Sequence, residues 1–255
     1  MYLVVDIGNT NIVFALLIDN LVKHKWRVAT DINRTSDEYY IWLSSILKKS
    51  FKINAIIIGS VVPEVTEQIK ISCYNYFKKK VYVINEDLKI NFPVKIENKE
   101  EVGTDRLVNS IAAWSFYKKA SIVIDFGTAT TFDVINKDGA YIGGVICPGI
   151  NLSLQTLHKA AARLPRVAVA KPDKVIGTTT VSAMTSGIYH GYIGLIKNIV
   201  ELITLELKYK TKIILTGGLA DLFSKNLGIN NIVKKNLTIE GLYLAYKNAK
   251  LKKND

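Results

Sequence analysis

Two stretches of the chain carry the same order of apolar and polar positions. Tyr2-Leu3-Val4-Val5 is a short apolar, β-rich run that leads into Asp6-Ile7-Gly8-Asn9-Thr10-Asn11. Half a chain later, Ile122-Val123-Ile124 leads into Asp125-Phe126-Gly127-Thr128-Ala129-Thr130-Thr131. In each copy an Asp closes the run, a Gly follows two positions on, and small hydroxyl or amide side chains cluster around it. A second apolar stretch comes next (Ile12 to Ile18, Phe132 to Ile135), then a turn signal, Asp19-Asn20 or Lys137-Asp138-Gly139, then a third stretch. The pattern predicts a strand, a tight polar turn and a returning antiparallel strand, built once per half.

The rest of each half alternates helical and strand patterns. Thr35-Ser36-Asp37-Glu38 is a helix-start signal and predicts a helix to about Lys49. Ala55 to Gly59 reads as a buried parallel strand, Pro63 opens a helix to Phe77, and Val81 to Ile84 gives a further strand. Residues 85–103 form a long irregular connection, of the kind that carries function inside compact domains. Thr104 is expected to cap a helix whose Leu107, Val108 and Ile111 face inward.

In the second half, Gly143 to Gly149 reads as a strand ending in a Gly/Pro turn. A helix runs from Asn151 to about Arg163, broken by Leu164-Pro165, and residues 166–177 read as an exposed loop. A long helix from Thr180 to about Leu207 precedes the strand Lys212 to Thr216 and Gly217-Gly218, and Thr238 to Gly241 starts a C-terminal helix. Opening meanders followed by alternating helices and strands predict α/β layers around mixed sheets. The repeat predicts two related domains, residues 1–117 and 118–255, with their polar turns facing each other across a cleft.

Composition narrows this picture. The 255 residues, 49% hydrophobic, are enough for two small cores. Asp6 interrupts what would be the apolar segment of a leader peptide, and no stretch approaches the ~18 uncharged apolar residues of a membrane span. The best candidate, Gly187 to Thr204, carries Lys197 and Glu201. A cytoplasmic protein is expected. Cys73 and Cys147 are too few and too far apart to suggest a disulfide framework or a cysteine metal site. The net charge of +12 raises a nucleic-acid partner, but its lysines are scattered or gathered at helix ends (Lys78 to Lys80, Lys118-Lys119, Lys247 to Lys253). No aromatic-interleaved basic motif accompanies them, so a solvated face is expected and no nucleic-acid binding.

The chemistry of the repeated turn is specific. Glycine admits close approach of the backbone to a bulky anion, and successive N–H groups in a tight turn make an anion-holding concavity. Thr and Asn add neutral hydrogen bonds to phosphate oxygens. An Asp at the strand end suits hydrated Mg²⁺, which prefers oxygen ligands. One Asp-x-Gly turn is ordinarily just a hairpin; two, half a chain apart, point to phosphate handling.

These residues resemble the acetate and sugar kinase, Hsp70 and actin superfamily and, within it, type III pantothenate kinase. The resemblance rests on Asp6-x-Gly8-Asn9-Thr10, Gly103-Thr104-Asp105-Arg106, Asp125-Phe126-Gly127-Thr128-Ala129, Gly143-Gly144-x-Ile146-x-Pro148-Gly149, Leu164-Pro165 and Thr216-Gly217-Gly218. It implies two ribonuclease H-like, actin-like domains with an ATP cleft between them. The implied activity is ATP-dependent phosphorylation of pantothenate, the first step of coenzyme A synthesis.

The same resemblance assigns ATP binding to Asp6, Ile7, Gly8, Asn9, Thr10, Asn11, Ile12, Val13 and Thr128, with Asp6 on the Mg²⁺–ATP side. Pantothenate falls to Gly103, Thr104, Asp105, Arg106 and Thr180, the catalytic base to Asp105, and a monovalent cation, K⁺ or NH₄⁺, to Asp125. A homodimer is implied as well. Three positions depart from the family pattern: Thr179 replaces an Asn, Ile96 an aromatic residue and Lys99 a Pro.

The physics of phosphoryl transfer agrees with those roles, since it asks the protein mainly for positioning and charge stabilisation. Asp105 opens a helix, where the dipole favours a carboxylate, and Arg106 offers a planar fork to a carboxylate or phosphate. No Gly-x-x-x-x-Gly-Lys-Ser/Thr motif exists, which excludes a P-loop kinase. His24, His158 and His190 lack metal-ligand spacing and read as structural or solvated. Ala183, Gly187 and Gly191 form a small-residue stripe on the long helix, open to either intrachain packing or a second copy. A non-catalytic regulatory relative working through protein or DNA contact, and an ATPase or phosphatase on the same scaffold, are the competing functions. Intact Asp6, Asp105, Arg106 and Asp125 count against the first and the Gly103-to-Arg106 segment against the second.

Overall fold

The computed structural model describes residues 1–19, 21–47, 51–160 and 164–251. Asn20, Lys49, Arg163, Lys252 and Lys253, where the sequence predicts a turn, two helix ends and part of a basic tail, lie outside the described residues. The chain divides into two units, Met1–Ser115 together with the stretch from Asn236 onward, and Phe116–Lys235.

The first unit is built on five strands, β1 (Tyr2–Ile7), β2 (Asn11–Ile18), β3 (Leu21–Ala29), β4 (Ala55–Ser60) and β5 (Val81–Val83), in the order β3-β2-β1-β4-β5. β1, β2 and β3 are an antiparallel meander; β4 and β5 join in parallel through α1 (Ser36–Ile46) and α2 (Pro63–Phe77). Alternate residues of β1 serve opposite cores. Leu3, Val5 and Ile7 pack with Tyr39, Leu43, Ile69 and Cys73 of α1 and α2. Val4 packs with α3 (Thr104–Tyr117) and with the C-terminal helix, described below as α7 (Leu237–Leu251), through Val108, Ile111, Leu242 and Tyr243. With both faces covered, the central strands are apolar at nearly every position.

The second unit repeats this plan. β6 (Ser121–Phe126), β7 (Ala129–Ile135) and β8 (Tyr141–Pro148) form the meander, and β9 (Lys212–Gly217) and β10 (Asn231–Val233) are the parallel strands, in the order β10-β9-β6-β7-β8. Position for position this is the order of the first sheet, so the repeat read from the sequence is a repeat of topology. The helices are α4 (Ile150–Ala160), the 28-residue α5 (Thr180–Leu207) and the short α6 (Ala220–Ser224), with Tyr189, Tyr192, Ile196 and Val200 of α5 packed on Ile122, Ile124 and Phe132.

The division differs from the expected boundary at residue 118 in two respects: the second unit begins at Phe116, and α7 packs in the first unit. The reason for the latter is steric. Leu242 lies over Gly59 of β4 so closely that a Cβ there would overlap it, and Gly241 lies against the Val108 carbonyl of α3. Tyr2 completes the contact with tilted ring pairs to Tyr243 and Tyr246. No helix among the described residues is long and apolar enough to cross a membrane.

The lysine-rich helix ends take a specific form. Lys78 after α2 and Lys208 after α5 are left-handed C-caps, and Lys118 after α3 also has positive φ. Cys73 is buried in the first core, where burial pushes its thiol up to about 12, and Cys147 is half-buried; both are free thiols.

Candidate functional site

The first polar turn joins β1 to β2. Asp6 sits one residue before the end of β1, paired with Val13 on β2 and Gly59 on β4. The Gly8 amide donates to the Asn11 carbonyl at 3.0 Å, which closes the turn and leaves Asn9, Thr10 and Asn11 exposed. A Cβ on Gly8 would lie 3.2 Å from that same carbonyl. Thr30, just beyond β3, fixes the turn from the side: its hydroxyl donates to the Gly8 carbonyl at 2.6 Å and its amide to the Thr10 carbonyl at 3.0 Å. Nothing in the local sequence singled out Thr30, because the contact spans 22 positions. Ile7 and Ile12 are buried, so of the residues expected to bind ATP they shape the turn from beneath rather than meet a ligand with their side chains.

The equivalent turn of the second unit joins β6 to β7. Gly127 donates to the Ala129 carbonyl at 3.1 Å, and Thr128 is exposed at the tip. Gly149, after β8, supports it: its amide donates to the Thr128 carbonyl at 3.1 Å, and any Cβ at 149 would overlap the Gly127-Thr128 backbone. The Pro148-Gly149 motif is thereby explained as a brace for the Thr128 turn.

Asp125 pairs with Thr131 on β7 and Thr216 on β9. Its carboxylate leans over Gly217, which has φ +88 and where a Cβ would lie 2.6 Å from Asp125 Oδ1. Only glycine meets both demands without strain. A cradle that a side chain would fill, beside the Asp125 carboxylate and the Phe126 carbonyl, offers oxygen donors of the kind a hard cation prefers.

The Gly103-to-Arg106 segment opens α3. Thr104 is the first helical residue rather than the cap before it. Its buried hydroxyl accepts a hydrogen bond from Asn85 Nδ2 at 2.9 Å. The Arg106 amide donates to Asp105 Oδ1 at 2.9 Å, a local bond that orients the carboxylate and leaves Oδ2 without a partner among the described residues. A Cβ on Gly103 would come within 2.6 Å of Asp105 Oδ1, so glycine keeps this carboxylate clear as well.

Thr180 is the exposed first residue of α5, preceded by Thr179 as N-cap in a reciprocal capping box with Ser182 (Ser182 N–H to Thr179 Oγ1, 3.1 Å; Thr179 N–H to Ser182 Oγ, 2.9 Å). The departure at 179 therefore exchanges one good N-cap for another and leaves the helix start intact. Lys99 begins a 3-10 turn, Lys99–Glu101, capped by Asn98, where a Pro is replaced without loss of a turn.

No group of three or more His, Cys, Asp or Glu suited to a metal occurs among the described residues. The donor sets present fit cations that keep most of their own water: Asp6 offers a single carboxylate beside a phosphate-type turn, as Mg²⁺ carried by a nucleotide requires. His24 stacks on Trp26, His190 meets Tyr189 edge-on, and His158 Nδ1 is hydrogen-bonded with the Leu164 carbonyl, so all three are engaged structurally.

The type III pantothenate kinase family model matches residues 2–202, spanning both turns, Asp105 and Thr180. The chain belongs to the type III pantothenate kinase family. A type III pantothenate kinase of Paramagnetospirillum magneticum is 47% identical over 247 residues, covering 95% of each chain. One from Rhodospirillum rubrum is 44% identical over 252 residues, covering 97% of this chain and 98% of its own. Among solved structures, a Baf family transcriptional activator from Campylobacter jejuni superposes with TM-score 0.61 at 22% identity, covering 98% of this chain and 99% of its own. The 2-hydroxyisocaproyl-CoA dehydratase activator of Clostridium difficile, with bound ADPNP, gives TM-score 0.54 at 12% identity, covering 99% and 97%. These two likenesses show that the fold, an α/β chain with two mixed five-stranded sheets, is shared with known structures.

Proposed function

We propose that this protein transfers the γ-phosphoryl group of ATP to the primary hydroxyl of pantothenate, giving 4'-phosphopantothenate, the first step of coenzyme A biosynthesis. The observation that carries the reading is the start of α3 in a chain of this family: Asp105 has one oxygen fixed by its neighbour's amide, the other open, and a glycine keeping the approach clear. Such a carboxylate accepts the hydrogen bond of an alcohol and aims its oxygen at the γ-phosphorus. A carboxylate is a weak base for an unactivated alcohol, so orientation comes first and proton transfer follows late in the reaction.

The remaining assignments belong to the same reading. Asp6 to Val13 and Thr128 bind ATP phosphates, with Asp6 toward the Mg²⁺ that accompanies them. Gly103, Thr104, Arg106 and Thr180 bind pantothenate, and Arg106 supplies the guanidinium suited to its carboxylate. Asp125 and the cradle at Gly217 hold K⁺ or NH₄⁺, which would supply positive charge to the site. A homodimer through α5 is supported by Gly187, Gly191 and Gly194, where an added Cβ would meet nothing within 4 Å in the chain itself. A cytoplasmic location belongs to the same reading.

The test is ADP formation from Mg²⁺–ATP with and without pantothenate, in K⁺ buffer. Stimulation by pantothenate, with a phosphorylated product by mass spectrometry, is expected. Turnover indifferent to pantothenate would identify an ATPase instead, and no turnover at all a non-catalytic relative.

A further inference from the structure

Asp105 is only as well placed as the first turn of α3, and that turn is tied to a residue outside every motif of the site. Asn85 follows β5 with φ +73, the left-handed region that L residues other than Asn and Asp rarely occupy. Its turn is closed on both sides. The Asn85 amide donates to the Leu88 carbonyl at 2.8 Å, and the Asp87 amide donates to the Val83 carbonyl at 2.9 Å. Asp87 Oδ2 accepts from the Val83 amide at 2.8 Å. Leu88 is buried in the same core as Val108 and Ile111 of α3. From this fixed base Asn85 Nδ2 reaches the Thr104 hydroxyl at 2.9 Å, one residue before Asp105.

We infer that Asn85 is a positioning residue for phosphoryl transfer: its side-chain amide sets the Thr104 hydroxyl, and through it the start of α3 that presents Asp105 and Arg106. The inference rests on the pantothenate kinase reading and deepens it. Two properties of asparagine are in play, tolerance of positive φ and the amide donor, and a local structural role needs only the first. The 19-residue separation from Thr104 places the second in the site.

Asn85→Gly separates them, because glycine keeps the backbone conformation and removes the donor. Loss of one neutral hydrogen bond corresponds to a roughly 2–10-fold change. The expected result is a loss of that size in kcat/KM for pantothenate, with KM for ATP and nucleotide binding in the absence of pantothenate unchanged. Adding Asn85→Gly to Thr104→Val should cause no further loss, since the pair acts as a unit. Wild-type kinetics in Asn85→Gly, an equal loss toward ATP and pantothenate, or full multiplicative loss in the double variant would each overturn the inference while leaving the kinase reading in place. A wild-type protein that pantothenate does not stimulate overturns both.

Discussion

Gly103 and Asp105 are locked together sterically: a Cβ on Gly103 would lie 2.6 Å from Asp105 Oδ1, well inside contact distance. The Gly-x-Asp spacing is thus a requirement of the carboxylate's rotamer rather than of the turn, because φ at Gly103 is not positive. Gly103→Ala should push the carboxylate off its position. A displacement near 1 Å costs as much as about 10²-fold in turnover where alignment matters. Steady-state assays should show kcat for pantothenate phosphorylation down by roughly 10–10²-fold with ATP binding retained; a wild-type kcat would mean that Asp105 tolerates displacement.

Removing the charge tests the carboxylate directly. Asp105→Asn keeps the shape and an oxygen that accepts from the Arg106 amide, so the helix start should survive. Turnover should fall by roughly 10²–10⁴, the range for a positioned acid–base group. Turnover close to wild type would remove Asp105 from the mechanism.

Asp125 and Gly217 repeat the same relationship in the second unit, again with 2.6 Å between the missing Cβ and a carboxylate oxygen. If the space serves a monovalent cation, the wild-type protein should melt at higher temperature in K⁺ than in Na⁺ at equal ionic strength. Gly217→Ala and Asp125→Ala should both abolish that difference, whatever they do to stability in Na⁺. A K⁺-dependent shift surviving in Asp125→Ala would place the cation elsewhere.

The large features of this architecture were legible in the chain because they are local and repeated. Apolar runs ending in Asp6 and Asp125 became β1 and β6, and the two meanders became two sheets of identical strand order. α6 and β10 were not legible: five residues are too few to show a helical period, and β10 lies between Asn230 and Lys234 rather than in an apolar run like Val81 to Ile84. α7 was visible as a helix, but nothing local states which core its apolar face will join, and the glycines at 59 and 241 that decide it are 182 positions apart. Thr30 and Asn85, and the bracing role of the Gly149 already named in its motif, escaped for the same reason. Each acts through a hydrogen bond to a residue distant in sequence, which composition and period do not encode.

Away from the site, the capping box of α1 predicts a pH dependence. Glu38 accepts from the Thr35 amide and hydroxyl, at 2.8 and 2.9 Å. Those two bonds to Thr35, the backbone one first, hold its carboxyl below the ordinary glutamate range. A group with a lowered folded-state pKa contributes stability above its unfolded pKa and loses that contribution as pH falls through the folded one. Glu38→Gln should therefore melt below the wild type at pH 7, with the gap closing in the acid range below the ordinary glutamate pKa. A gap that stays constant down to strong acid would mean the amide caps differently from the carboxylate for reasons other than charge.

The last prediction concerns the surface of α5. Ala183, Gly187 and Gly191 recur every four residues and are all exposed, and Gly194 continues the open face. Glycine in a helix interior costs roughly 1 kcal/mol relative to alanine, and here no intrachain neighbour occupies the space its missing side chain leaves. Close approach by the same helix of a second copy would account for the cost, and Val181, half exposed at 50%, extends the apolar edge toward Thr180. A stable interface of this kind buries at least about 1,000 Å². Light scattering at low micromolar concentration should give a dimer for the wild type. Gly187→Leu has room to fold in the single chain, so its melting transition should remain cooperative while the dimer weakens. If Thr180 helps to bind pantothenate beside the partner copy, KM for pantothenate should rise in the same variant more than KM for ATP. A wild-type monomer with full kinase activity would sink the shared-pocket idea and leave the glycines unexplained by assembly.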